Sequence, residues 1–476
     1  MGDPKGFLKI KREKPLYRPV CERVKDFKEV SVLRPIEKAI EQASRCMDCG
    51  TPFCHWACPV ANYIPEWNDA LYRKDFKKAY ELLSSTNNLP EITGRLCPAL
   101  CEYSCVLGIN DSPVTIRENE LNIIEMAFAN FWVKPEPPLQ RTGKKVAVIG
   151  SGPAGFACAS QLNKAGHIVT VFEKDEEVGG FLRYGIPDFK LDKSILDRRI
   201  NIYKEEGILF KTGVTAGVDI KTEDLLKDFD AICLTAGSRQ ARDLNIPGRE
   251  LEGIYFAIDY LSQANMRVSG KELKNYIDAK EKNVVIIGGG DTGADCIGTS
   301  VRQGALCIKQ IEIMPRPPES RTEDFPWPRY PMILKVSTSH EEGGEREWCV
   351  LTKRFVGENG KVKKLICTRV EFEKENGKLL MKEIEDSEFE IEADLVILAL
   401  GFIHPEHSGI LLDLKLEFDE RGNVKTNSEY KTNVDKVFAA GDIRRGQSLI
   451  VWAIAEGRKA AHYIDKFLMG TSNLPR

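Results

Sequence analysis

Apolar residues recur along this chain with two different periods, and the change from one to the other divides it. Between residues 35 and 131 the spacing is helical. An amphipathic pattern starts at Pro35, another runs over residues 66–84, and Ile116, Glu120, Ile124 and Phe128 recur every four residues on one face. Thr115 and Glu118 have capping-box spacing, predicting a helix that starts there and ends near residue 131. After the stiff linker Lys134-Pro135-Glu136-Pro137-Pro138-Leu139 the signal becomes short apolar runs separated by helical stretches. The runs at 146–149, 168–172, 231–234, 284–287, 308–314, 395–400 and 437–440 read as buried parallel strands. Residues 348–392 instead alternate around the turns Glu358-Asn359-Gly360 and Glu375-Asn376-Gly377, predicting an antiparallel hairpin layer on the second nucleotide domain. The run at 393–401 is expected to return the chain to the first sheet. Residues up to about 28 show neither period. They form an arm that either wraps another domain or subunit or, as the plainer expectation, is solvated.

The first parallel strand runs into Gly150-x-Gly152-Pro153-Ala154-Gly155, a G-x-G-x-x-G turn that opens a helix. Such glycines let a pyrophosphate approach the backbone, and the helix N-terminus supplies N–H donors. The next strand ends at Glu173, placed to accept a ribose hydroxyl. The paired glycines Gly179 and Gly180, with Arg183 just beyond, are expected beside the same cofactor. Gly441-Asp442 follows a late strand, where the Asp is either a helix cap or a ligand of the ribityl chain. A second copy of the turn, Gly288, Gly290, Asp291, Thr292 and Gly293, follows another strand. Its partner strand runs to residue 314 and then into Arg316 and Arg321, with no acid expected where Glu173 stood in the first copy. An acid there suits NAD and an Arg suits the 2′-phosphate of NADP, so the first site is read as FAD and the second as NADPH. No cysteine pair follows either turn and Cys296 stands alone, so a dithiol relay is not expected.

With 476 residues, about three domains are expected. The net charge of −3 gives no case for nucleic acid or anionic lipid, and no apolar run reaches the roughly 18 residues of a membrane span. The N-terminal residues lack a basic-then-apolar signal region, so a cytoplasmic location is expected. Of 14 cysteines, seven lie between Cys46 and Cys105, and such crowding points to metal. Cys46, Cys49, Cys54 and Cys58-Pro59 resemble the bacterial ferredoxin run with its middle interval lengthened, and Cys97, Cys101 and Cys105 form a second group. Seven thiolates suggest two four-ligand sites with one ligand missing. Structural zinc is the plain alternative, with His55 inside the motif. Glu120, a carboxylate on an apolar stripe, either pairs with a basic residue or supplies the eighth ligand.

The order of parts resembles the small (beta) subunit family of glutamate synthase and, more distantly, the N-terminal half of dihydropyrimidine dehydrogenase. The matching stretches are Cys46 to Pro59, Ile64-Pro65-Glu66-Trp67-Asn68-Asp69, Gly94-Arg95-Leu96-Cys97-Pro98, Val114-Thr115-Ile116, Gly185-Ile186-Pro187 and Ala439-Ala440-Gly441-Asp442. The short Cys97-to-Cys101 interval departs from the dihydropyrimidine dehydrogenase pattern. The resemblance implies two [4Fe-4S] clusters with crossed ligation. One is held by Cys46, Cys49, Cys54 and Cys105, the other by Cys58, Cys97, Cys101 and Glu120. The fold it implies is α/β, with two Rossmann-like dinucleotide-binding domains, one inserted in the other, preceded by an α-helical iron–sulfur domain. The boundaries are 1–140 for the cluster domain, 141–252 with 401–476 for FAD, and 253–400 for NADPH. The implied activity is oxidation of NADPH at FAD, with electrons passed through the clusters to an FMN-containing large (alpha) subunit in a hetero-oligomer. The rival expectations are a ferredoxin- or sulfur-linked oxidoreductase subunit and a zinc-binding, non-redox scaffold.

Overall fold

The computed structural model describes residues 2–375 and 378–476; Asn376 and Gly377, of the second hairpin turn, lie outside the described residues. The apolar runs form two five-stranded parallel sheets. In the first, the strand order is Val437–Ala439, Ala231–Leu234, Lys145–Ile149, Ile168–Glu173, Leu209–Thr212. Its three central strands are buried on both faces by helices, which explains why they read as continuous apolar runs. In the second, the order is Glu345–Trp348, Cys307–Glu312, Asn283–Ile287, Leu395–Leu398, Ile254–Phe256. Leu395–Leu398 therefore belongs to the second sheet, paired with Asn283–Ile287 and Ile254–Phe256, and not to the first as its apolar run suggested. The chain rejoins the first sheet only at Val437–Ala439.

The antiparallel strands Val350–Glu358, Lys361–Glu375, Lys378–Glu383 and Phe389–Glu392 form their own layer. Phe355, Leu365, Cys367 and Ile391 of that layer share a core with Val285, Ile287, Ile311 and Val396 of the second sheet.

Residues before the linker build a small helical domain around the fully buried Trp67. The helix expected over 66–84 is two helices, Ile64–Tyr72 and Phe76–Thr86. Between them Lys74 turns left-handed (φ 63°), and the Asp75 carboxylate accepts Lys78 N–H at 3.2 Å, starting a new helix. The capping box at Thr115 does not form. The Thr115 hydroxyl donates to Asn119 Oδ1 (3.2 Å), while Glu118 is drawn off to the buried Arg34.

The N-terminal arm is not a solvated tail. Strand residues Leu16–Tyr17 pair with Ser31–Val32, and the buried Arg23 reaches the second nucleotide domain, bonding Glu342 (2.6 Å), Glu341 (2.9 Å) and the Thr338 carbonyl (2.9 Å). A buried guanidinium needs such partners, and here they tie the arm to that domain.

The cluster domain and first nucleotide domain share one core: Val60, Leu89 and Ile92 pack with Phe156, Leu196, Ile200 and Tyr203.

Candidate functional site

The two glycine turns are built alike. Gly150 N–H bonds the Phe172 carbonyl (2.8 Å) and Gly288 N–H the Ile311 carbonyl (2.9 Å), each with a positive φ (104° and 124°) that favours glycine. Nothing lies within 4 Å of where a Cβ would sit on Gly152 or Gly290, so both face open space at a helix N-terminus. On Gly155 a Cβ would meet the Gly150 carbonyl oxygen at 2.0 Å, and on Gly293 the Gly288 carbonyl oxygen at 2.4 Å, so these two let each helix sit on its own turn. The three glycines thus divide into strand exit, ligand approach and packing.

Gly150, Gly152, Pro153, Ala154, Glu173, Gly180 and Asp442 line one cavity at the carboxyl ends of the first sheet. Glu173 stands at its wall, accepting Ser151 N–H (3.0 Å), Ser151 Oγ–H (2.5 Å) and Asp175 N–H (3.0 Å). Burial raises the Asp442 carboxyl to about 6, and it accepts the Ser448 hydroxyl at 2.7 Å. Gly441, at φ 81°, hands its N–H to buried Glu456 (2.9 Å) and so aims the turn that carries Asp442.

Arg183 is not part of this cavity. Its guanidinium is taken by the Val178 carbonyl (2.7 Å), Glu177 (3.0 Å) and Asp197. Cations that do line the cavity are Lys174 and Arg239, the latter held by Asp175 at 3.0 Å beneath Phe181, which in turn stacks on Phe402 (5.0 Å). Nothing in the local pattern around Arg239 marks it, because its partners lie far away in the sequence.

The second site departs further from expectation. Its partner strand ends at Glu312, and Glu312 Oε2 accepts Gly289 N–H at 2.5 Å, the counterpart of Glu173 on Ser151. An acid therefore does stand at the NAD-selecting position, and the expectation of none is corrected. The apolar Ile313 and Met314 extend the hydrophobic run past the true strand end and hide it.

Arg321 does not remain at this site either. It donates to the carbonyls of Tyr103 (2.5 Å) and Phe325 (3.3 Å), pinning residues 315–337 against the cluster domain. There the Ser104 hydroxyl donates to the Pro328 carbonyl (2.7 Å), and Trp327 packs on Phe53 at 4.6 Å. Arg316 stays at the strand end, exposed and bonded to Glu319 at 3.0 Å. Arg321→Ala is accordingly expected to leave the ratio of NADPH to NADH affinity unchanged; a shift of that ratio toward NADH in flavin-reduction titrations would return Arg321 to the coenzyme.

In the helical domain Cys46, Cys49, Cys54 and Cys105 line one cavity with Ile64 and Asn68. Cys58, Cys97, Cys101 and Glu120 are electrostatic neighbours in a second group. Burial pushes the Cys46 and Cys58 thiols up to about 12 and Cys97 to about 11, so metal must displace protons to bind there. Glu120 Oε1 accepts Thr93 Oγ–H (2.6 Å) and Asn87 Nδ2–H (2.9 Å), and burial raises its carboxyl to about 7. No basic residue pairs with it among the described residues.

His55 is turned to the Asn62 carbonyl (3.1 Å) and stacks on Tyr63. Four thiols around one cavity are the donor set that a [4Fe-4S] cluster takes.

Residues 23–132 match the family model described as dihydropyrimidine dehydrogenase domain II, 4Fe-4S cluster, and residues 144–457 match pyridine nucleotide-disulphide oxidoreductase. Similar relatives include the Mycobacterium tuberculosis glutamate synthase [NADPH] small chain, 54% identical over 100% of this chain and 98% of that one. The Bacillus subtilis protein of the same name is 46% identical over the full length of both. The Schizosaccharomyces pombe glutamate synthase [NADH] is also 46% identical, over 99% of this chain and 23% of its own. Among solved structures, Mycobacterium tuberculosis FprA in complex with NADPH superposes with a TM-score of 0.56 at 19% identity, covering 69% of this chain and 85% of that one, which shows the fold. No helix among the described residues is long and apolar enough to cross a membrane. An iron–sulfur domain joined through one core to a flavin and nicotinamide fold, with full-length identity of 46–54% to small chains, places this chain in the glutamate synthase small-chain family.

Proposed function

We propose that the chain is the electron-input subunit of a glutamate synthase, oxidising NADPH at FAD and passing electrons through two [4Fe-4S] clusters to an FMN-containing large subunit that makes glutamate from glutamine and 2-oxoglutarate. The observation that carries this reading is the shared core in which Leu89 and Ile92 of the cysteine domain pack on the helices of the flavin turn. Bound in these sites, FAD converts the hydride pair of a nicotinamide into single electrons that iron–sulfur clusters carry onward. The chain's own share is placement. Gly152 and Gly290 leave room for the two pyrophosphates, and Asp442 and Glu173 offer acceptors to flavin hydroxyls. The hydride step requires no protein acid or base.

NADPH as the donor rests on the names of the bacterial relatives and on Arg316, since Glu312 removes the inference from a missing acid. The clusters are assigned as above, Cys46, Cys49, Cys54 and Cys105 for one and Cys58, Cys97, Cys101 and Glu120 for the other. Glu120→Ala is expected to lower iron per chain and change the EPR spectrum of the reduced protein. Full iron with an unchanged spectrum would make Glu120 a structural carboxylate.

The function is tested by adding the large subunit. Alone, the chain should reduce artificial dyes with NADPH and make no glutamate; with the partner, NADPH oxidation should become glutamine-dependent. Capture of a ferredoxin-type or sulfur-reducing partner without glutamine dependence would sink the named function and leave the electron-input role.

A further inference from the structure

Beside Glu312, the strand Glu345–Trp348 adds an edge to the second sheet, with Trp348 opposite Glu312 and Arg346 opposite Gln310. Alternation along a strand puts Arg346 and Trp348 on one face, and Gln310 and Glu312 on the matching face of the neighbouring strand. That is the face of the glycine turn, because Gln310 Nε2 donates to the Gly288 carbonyl (2.8 Å) and Glu312 accepts from Gly289. Two guanidinium carbons lie over the Trp348 ring, Arg346 at 4.9 Å and Arg316 at 5.7 Å from its centroid. Arg346 makes one hydrogen bond, to the Lys335 carbonyl (3.1 Å), and no carboxylate pairs with it among the described residues. Its neighbours Glu345 and Glu347 point the other way, to Lys309. Arg316 has only an exposed partner at i+3, a contact worth little in water. Two like charges lie over one indole, Arg346 half-buried without a carboxylate partner and Arg316 exposed with a weak one, at the carboxyl end of a parallel sheet, where nucleotides bind and a dianion would be matched.

We propose that Arg346 is the second cation, with Arg316, of the subsite that takes the 2′-phosphate of the nicotinamide coenzyme, and that Trp348 holds the two guanidiniums in place while Glu312 accepts a neighbouring ribose hydroxyl. This rests on the NADPH reading of the second site and assigns to Arg346 the role that Arg321, spent on the cluster domain, does not fill. Burial and the nearby Arg316 both push the Arg346 guanidinium below its ordinary value, in keeping with a cation that lacks its anion.

The test is calorimetric titration of the flavin-loaded protein with 2′,5′-ADP and with 5′-AMP, which differ only in the 2′-phosphate. The wild type should bind 2′,5′-ADP more tightly. Arg346→Gln should weaken 2′,5′-ADP by roughly tenfold to a hundredfold, the worth of a hydrogen bond to a charged group, with 5′-AMP affinity kept as the sign that the site is folded. If the wild type discriminates and Arg346→Gln discriminates equally, the assignment of Arg346 is wrong and the NADPH reading survives. If the wild type binds both probes alike, the NADPH reading fails and the assignment falls with it. A loss of affinity for both probes in Arg346→Gln would make the residue a structural support and also overturn the proposal.

Discussion

Gly457→Ala is expected to lower the melting temperature and release flavin, although helix propensity alone argues for the opposite. In a helix interior free of neighbours, alanine for glycine stabilises by about 1 kcal/mol. Gly457 lies inside the helix Ile450–Met469, where an added Cβ would stand 2.2 Å from the Ala154 carbonyl oxygen and 3.0 Å from its carbonyl carbon. Both atoms are backbone, so no rotamer change relieves the contact; one helix must move off the other. Overpacking costs about 1–3 kcal/mol when side chains can adjust, and the rigid neighbour here puts the cost at or above that range, so the clash outweighs propensity. Ala154 belongs to the first turn of Pro153–Lys164, the turn that faces the flavin cavity. The displacement therefore reaches the cofactor. Flavin absorbance retained after desalting, alongside the melting temperature, decides the matter. Full flavin with a raised melting temperature would show that the helices have room and that propensity governs.

Features of the molecule that depend on near neighbours were legible in the sequence, and those fixed by distant partners were not. The two glycine turns could be read because strand, turn and helix follow one another and each glycine has a local reason. The cavity of Cys46, Cys49, Cys54 and Cys105 was implied by family resemblance, whereas spacing alone left the allocation of seven thiolates open. Arg183, Arg316 and Arg321 looked equivalent as cations near glycine turns. Asp197 and the Tyr103 carbonyl claim two of them, at separations of 14 and 218 residues that no local pattern encodes. Glu118 had the spacing of a cap and was lost to Arg34, since a buried guanidinium competes for a carboxylate more strongly than a helix end does. Leu395–Leu398 looked like any buried parallel strand, because apolar content reports burial and not which sheet provides it. Glu312 is hidden because Ile313 and Met314 carry the apolar run two residues past the strand end.

A buried ion pair crosses the contact between the cysteine and flavin domains, and breaking it is expected to cost more than a surface change. Glu91 is fully buried and Arg199 nearly so. They meet in a two-pronged arrangement, Nε to Oε1 at 2.6 Å and Nη2 to Oε2 at 2.9 Å. Glu91 lies on the helix Pro90–Leu96 of the cysteine domain and Arg199 on Lys193–Glu205 of the flavin domain, so the pair crosses the boundary electrons must cross. Glu91 holds the Arg199 charge strongly enough to raise its pKa in spite of burial. Glu91→Ala leaves that charge buried without a counter-charge, a loss of about 3–5 kcal/mol, which is a large share of the roughly 5–15 kcal/mol that stabilises a typical domain. Replacing both partners, Glu91→Leu with Arg199→Met, removes the stranded charge and should recover most of the loss, because the pair spends much of its attraction on desolvation. The expected pattern in urea unfolding is one strongly destabilised single variant and a double variant near wild type. In rapid mixing with NADPH the single variant should still bleach its flavin while its iron–sulfur absorbance bleaches late or not at all. Equal stability of the single and double variants would mean that Arg199 finds water or another partner when Glu91 is gone, and the domain contact would then rest on its apolar core of Val60, Leu89 and Ile92 and on the remaining polar links, such as Arg198 to Glu125 and Arg458 to Asn88.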